Sequence, residues 1–262
     1  MLAVAAGLAH FEERYDAFRR DIDIDSLRRD ARWPELEARV ERARADGAAW
    51  AREPALIVPE GTAPAAGWPL VVLLHRDGSS KEIEARGEWA ASARRERFAL
   101  LVPAARYAAN EDPRVAGAWL SDVEDLARRP WQSVEVALED VRRIVEAHRI
   151  DRERVIAVGC ETGAPVAFDM ACRASGLFRA VILVDGAAHV DAAAATAPAA
   201  ALVGLRVGVV LEDRAGVESR ATLLGRGLGA SGFDAREMEF VRTPSPGVDD
   251  AARTMATAWI AR

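Results

Sequence analysis

From residue 69 onward, continuous apolar runs alternate with stretches whose apolar positions recur every three to four residues. The runs at 70–74, 98–102, 155–158, 180–184 and 207–211 have the length and composition of strands buried on both faces of a sheet. Residues 55–58 read as an edge strand and 238–241 as the last strand. A helix follows the first long run and ends near residue 95. Ser133 caps the next helix, which carries Val134, Ala137, Leu138, Val141, Ile144 and Val145 on one face. Ala167, Met170, Ala171 and Ala174 form the buried stripe of a third helix, ended by Gly176. Shorter helical patterns occupy part of 187–201, then 219–230, and 249–261 closes the chain. Strands alternating with helices predict an α/β fold: a mostly parallel central sheet covered by helices on both faces, with right-handed crossovers. Ligands of such sheets bind at the carboxyl ends of the strands.

Residues 1–53 follow a different rhythm. Phe11, Tyr15 and Phe18 are spaced for one helix face, 21–26 breaks it, and Trp33-Pro34 opens another helix through Leu36 and Val40. The run from Asp25 to Leu36 resembles the closing part of tetratricopeptide-type helical arrays. A solenoid core needs about three repeats, so 1–53 is read as an N-terminal helical extension, a possible remnant of a helical repeat, and 54–262 as the main domain. The long irregular segment 104–131 carries Tyr107, Trp119 and Trp131 and has the length of a pocket wall or lid.

Composition narrows the function. The 262 residues are 50% hydrophobic, enough for a sizeable core, and the net charge of −6 argues against a nucleic-acid or membrane surface. Cys160 and Cys172 lack the partners of a metal site, so no metal and no cofactor is expected, and both are read as reduced thiols of a cytoplasmic protein. The short apolar start runs straight into charged residues, unlike a signal peptide, and no run is long enough to span a bilayer.

The chemistry centres on Val158-Gly159-Cys160-Glu161-Thr162-Gly163: a buried strand, a tight turn between two glycines, and a helix start. That is the shape of a nucleophile elbow, Gly-x-Ser-x-Gly, with Glu161 where the serine belongs. Three further stretches carry a family likeness. The strand at 68–74 with His75 and a glycine-containing loop resembles the "His-Gly" oxyanion loop of α/β-hydrolases. His148-Arg149-Ile150-Asp151-Arg152-Glu153-Arg154-Val155 and Leu177-Phe178-Arg179-Ala180-Val181-Ile182 are similar to runs of the phospholipase/carboxylesterase and feruloyl- or polyhydroxyalkanoate-esterase group. The resemblance covers about 54–262 and implies the α/β-hydrolase fold and carboxylester hydrolysis.

Position by position, the implied machinery is incomplete. Gly159 and Gly163 keep the elbow frame. Glu161 is a possible nucleophile, as aspartates are in the dehalogenase and epoxide-hydrolase relatives, but its ester would still need a His to activate water. Its negative charge opposes a developing oxyanion. Cys160 is one residue off the apex and reads as a buried thiol. Thr162 offers its N–H to the oxyanion position and its hydroxyl as a helix cap. Arg76 stands in the oxyanion loop and is a candidate ion-pair partner for Glu161. The base should follow the last strand, and 242–249 holds no His. His189 is the only substitute on the correct edge; His10, His75 and His148 read as structural. Asp185, Glu212 and Asp213 are alternative orienting acids, with Ala215 equally well aligned. The reading is an esterase-like homologue that has lost serine-hydrolase activity and binds a small molecule or partner in its remnant cleft. The alternatives are an ester hydrolase with unconventional groups and an interaction module that docks a protein through its N-terminal helices.

Overall fold

The computed structural model describes residues 25–35, 37–38, 53–105, 107–108, 117–120, 132–186, 203–213, 222, 225–226, 228–229, 233, 238–244 and 247–261. In chain order the elements are α1 (Asp25–Arg28), β1 (Ala55–Ile57), β2 (Trp68–Leu74), α2 (Lys81–Glu84), α3 (Glu88–Glu96), β3 (Ala99–Val102), β4 (Tyr107–Ala108), β5 (Gly117–Ala118), α4 (Gln132–Ala147), β6 (Ile150–Cys160), α5 (Gly163–Arg173), β7 (Ala180–Val184), β8 (Arg206–Glu212), β9 (Met238–Thr243) and α6 (Val248–Ile260).

Among the described residues the main sheet has seven strands in the order β1-β3-β2-β6-β7-β8-β9. All neighbours pair in parallel except β1 with β3. The alternation read from the sequence therefore produces the expected α/β-hydrolase architecture. Every residue of β2 is buried, and its two faces feed two cores. Leu70, Val72 and Leu74 pack under α4 and α5, while Val71 and Leu73 pack under α3 and α6. Period-two side-chain alternation in a strand covered on both faces explains why the run is apolar throughout.

Strand order reverses between β2 and β6, since β3 and β1 build outward on one side and β7 to β9 on the other. The register sets Leu74 opposite Gly159. The loop after β2 and the turn after β6 therefore emerge side by side at the crevice where such sheets bind ligands.

Several elements differ from the sequence reading. The single helix ending near 95 is two, α2 and α3, separated at 85–87; Gly87 is extended and serves as the N-cap of α3. α4 starts at Gln132, and the Ser133 hydroxyl does not cap it but donates to the Trp119 carbonyl at 2.7 Å. Segment 104–131 holds a two-stranded piece, β4 with β5. α5 is buried at every position from Gly163 to Cys172, more than the one stripe its sequence displays. α1 begins within the last two residues of the expected break and runs past it, with Arg28 paired to Asp25 one turn away. Residues 33–35 are helical as read; most of 1–53, with His10, and also Trp131, 187–201 and most of 219–230 lie outside the described residues. No described helix is long and apolar enough to cross a membrane.

The elbow tolerates no Cβ at its first glycine. A Cβ on Gly159 would lie 2.4 Å from the Gly163 carbonyl oxygen and 2.6 Å from Ala164 Cα. Both are backbone atoms and cannot rotate away. Gly159→Ala is expected to cost about 3 kcal/mol or more, whereas Gly225→Ala, where a Cβ meets nothing within 4 Å, is neutral or gains up to about 1 kcal/mol. Chemical denaturation of the two variants checks this; equal midpoints would contradict the packing argument.

Candidate functional site

The ladder between β6 and β7 continues one residue past β6, with Glu161 N–H donating to the Val184 carbonyl at 2.8 Å. The chain then reverses into α5, and Ala164 N–H returns to the Glu161 carbonyl at 3.1 Å. This turn requires φ +52° at Glu161, the left-handed region that non-glycine residues enter at a cost of about 1–2 kcal/mol. A tight turn therefore lies between Gly159 and Gly163. A third glycine supports it: a Cβ on Gly186 would lie 2.3 Å from the Glu161 carbonyl oxygen. Only tertiary packing reveals Gly186, because nothing in its local sequence marks it.

The neighbouring loop is pinned from behind. Ser79 N–H donates to the Arg76 carbonyl, Gly78 N–H to the Gly117 carbonyl, and Gly117 N–H back to Ser79. The N–H groups of Gly78 and Ser79 are thereby used within the scaffold. The Asp77 backbone lies near the Glu161 carboxylate and favours its charged form. The Thr162 hydroxyl donates to the Asp77 carboxylate and not to its own helix, which corrects its expected role as a cap. This bond joins the loop to the elbow.

Arg76 reaches a different acid from the one expected. Its Nη2 pairs at 2.5 Å with Asp249 Oδ1, in the first turn of α6. Glu161 feels the guanidinium only through space. Burial raises the Glu161 carboxyl above its ordinary value, opposed by Arg76 and the Asp77 N–H and reinforced by Asp77 and Asp185. Asp249 is the last residue of the stretch where a catalytic His was sought, so an acid bonded to Arg76 stands there instead. Glu84 lies near this pair; it accepts a 2.7 Å bond from Ser79, and burial raises its carboxyl. Beneath the charges lies Cys160, 3% exposed, whose thiol is pushed up by burial. It has the inert environment its off-apex position implied.

The other candidates take separate places. Asp185 also has φ +52°, and its N–H donates to Val210; Asp213 lies one strand further on, where its N–H donates to Thr243. His189 lies outside the described residues. His75 is 1% exposed and packs on Trp119 with ring centroids 5.3 Å apart. Its Nδ1–H donates to the Arg76 carbonyl, and the Trp119 indole donates to the His75 carbonyl, both at 2.9 Å. Trp119 is therefore a buried brace under the oxyanion loop. Among the described residues no group of three or more His, Cys, Asp or Glu is placed to hold a metal ion.

The comparisons agree with this frame. The family described as Esterase PHB depolymerase matches residues 53–222, ending before β9 and α6. No curated protein matches the chain. Among solved structures, a ferulic acid esterase superposes with a TM-score of 0.54 at 14% identity, covering 74% of this chain and 85% of its own. S-formylglutathione hydrolase (FrmB) of Staphylococcus aureus gives 0.54 at 12%, with coverages of 78% and 91%. The enterobactin and salmochelin hydrolase IroE gives 0.51 at 16%, with 79% and 88%. At these identities the three establish the fold alone.

Burial lowers the His75 pKa from 6.5 to about 4, partly offset by its bond to the Arg76 carbonyl and by Glu82. The folded chain therefore holds a neutral ring. The stability this contributes is complete above about 6.5 and is lost as pH falls toward 4, a total of roughly 3 kcal/mol. Glu84 and Glu161 act with opposite sign, eroding stability as pH rises through their raised values. Unfolding free energy measured from pH 7 to 4 should fall less steeply in His75→Asn than in the wild type, whatever its absolute value. Parallel slopes would contradict the buried neutral ring.

Proposed function

The chain belongs to the Esterase PHB depolymerase family of α/β-hydrolases, and on that premise we propose that it is a non-hydrolytic member whose elbow serves binding, with a small molecule or a protein partner as the occupant of the remnant cleft. One observation carries the reading: the apex of the turn, at φ +52°, bears a carboxylate, and the Asp77 backbone beside it favours its charged form. Acyl transfer needs that direction kept open for a developing negative charge. A resident carboxylate instead makes tetrahedral-intermediate formation electrostatically uphill. The Arg76–Asp249 pair points the same way, since an acid bound to an arginine is a poor proton acceptor in place of an imidazole.

The alternative of an unconventional ester hydrolase draws on the retained positive φ of Glu161, which presents its side chain as a nucleophile would be presented. Attack on the ester carbonyl would expel the alcohol and leave a mixed anhydride of Glu161, which would then require a base to deliver water. His189 is the residue that would have to supply it.

Aryl esters of short and medium acyl chains discriminate the two. An intact oxyanion hole without its triad retains about 10³-fold acceleration over water. With Glu161 in place the wild type should stay below that level, and neither Glu161→Ala nor Glu161→Ser should rise above it for want of a base. Wild-type turnover well above it that vanishes in Glu161→Ala would establish the hydrolase alternative. Mass spectrometry of small molecules that co-purify with the protein is the direct route to the occupant.

A further inference from the structure

α6 is fastened unevenly along its length. From Ala252 onward it is anchored in the core, through Ala252, Met255, Ala256, Trp259 and Ile260. Its far end is held again where Arg154 donates to the Ile260 carbonyl at 3.2 Å. The first turn differs: Val248, Asp249 and Ala251 are only half-buried, and Asp250 is exposed. The Arg76–Asp249 pair ties this turn to the loop after β2, across 173 positions of sequence. The Arg76 end is fixed, since its carbonyl accepts from both His75 Nδ1–H and Ser79 N–H. Cys160, 3% exposed at the end of β6, shares its apolar cluster with Val248 and Ala251 of the same turn.

We propose that the first turn of α6 is a gate at the carboxyl end of β6, latched to the loop after β2 by the Arg76–Asp249 pair, and that releasing the latch uncovers Cys160 while the domain stays folded. The inference goes beyond the binding reading and does not depend on what occupies the cleft. The energetics suit a gate. Both partners of the pair are over a third exposed, and such pairs shift an equilibrium by about five-fold at most. A turn with little apolar burial, held by a contact of that strength, opens at far lower cost than the core does. Salt screens exposed pairs, which makes ionic strength the trigger. Cys172 supplies the contrast. It is 6% exposed and belongs to the cluster on the other face of the sheet, remote from this turn.

The test is iodoacetamide labelling of the full chain at fixed pH, read separately at each cysteine by peptide mass spectrometry. In the wild type, raising NaCl from about 0.05 M to about 0.5 M should speed labelling of Cys160 roughly three- to five-fold and leave Cys172 unchanged. Arg76→Gln should label Cys160 at that faster rate already in low salt and lose the dependence on salt. This variant separates gating from electrostatics: the Arg76 cation favours the Cys160 thiolate, so its loss without any opening would slow the reaction. Slower or unchanged labelling of Cys160 in Arg76→Gln, or acceleration of both cysteines together, overturns the proposal. Should Cys160 stay unlabelled throughout, hydrogen exchange of the Ala251 amide decides, since its N–H closes the first turn on the Gly247 carbonyl at 3.0 Å. That amide should exchange about three- to five-fold faster in both Arg76→Gln and Asp249→Asn than in the wild type; equal rates overturn the gate.

Discussion

The close approach of three backbone segments at the end of β6 is the constraint on which the site depends. Gly159, Gly163 and Gly186 lie where a Cβ would sit 2.3–2.7 Å from neighbouring backbone oxygens. That contact lets α5 start directly above the strand and forces Glu161 into its left-handed turn. Because β6 pairs with β2 in fixed register, the same contact sets the elbow beside the loop at 75–78. The sheet order supplies the crevice, and the glycine packing determines which side chain enters it.

Electrostatics then decide what the crevice can do. The Arg76–Asp249 pair is over a third exposed on both sides, and pairs of that kind contribute at most about 1 kcal/mol to stability. Its consequence is local: it commits the one guanidinium of the oxyanion loop to an acid of α6. Glu161 places a carboxylate beside Asp77 and that guanidinium. A hydrolase holds such donors in readiness for charge that appears only in the transition state; here the charge is permanent. His75 belongs to the scaffold beneath, neutral and bonded to the loop it supports.

The sheet was readable because strands buried on both faces are continuous apolar runs, and each of the five long runs lies within or largely overlaps a strand. The elbow was readable because two glycines flank its apex. What the sequence concealed depends on tertiary proximity. Asp249 has no motif; it matters because α6 begins beside the oxyanion loop, 173 positions from Arg76. Thr162 and Ser133 have the residue type of helix caps, yet each hydroxyl finds a closer acceptor, in Asp77 and in the Trp119 carbonyl. The break between α2 and α3 was missed because Gly87 alone marks it in an otherwise helical stretch. Trp119 looked like a pocket wall by its place in a long loop and is instead buried against His75.

The central claim, that the carboxylate at the elbow lies against the oxyanion loop, where a hydrolase keeps room for developing charge, has a direct spectroscopic test. The amide proton of Asp77 can be followed by NMR across the titration of Glu161. The account predicts that its shift moves with Glu161 protonation, with a midpoint above the ordinary glutamate value of 4.5, and that Glu161→Gln abolishes the movement. An Asp77 amide that stays still while Glu161 titrates would contradict it.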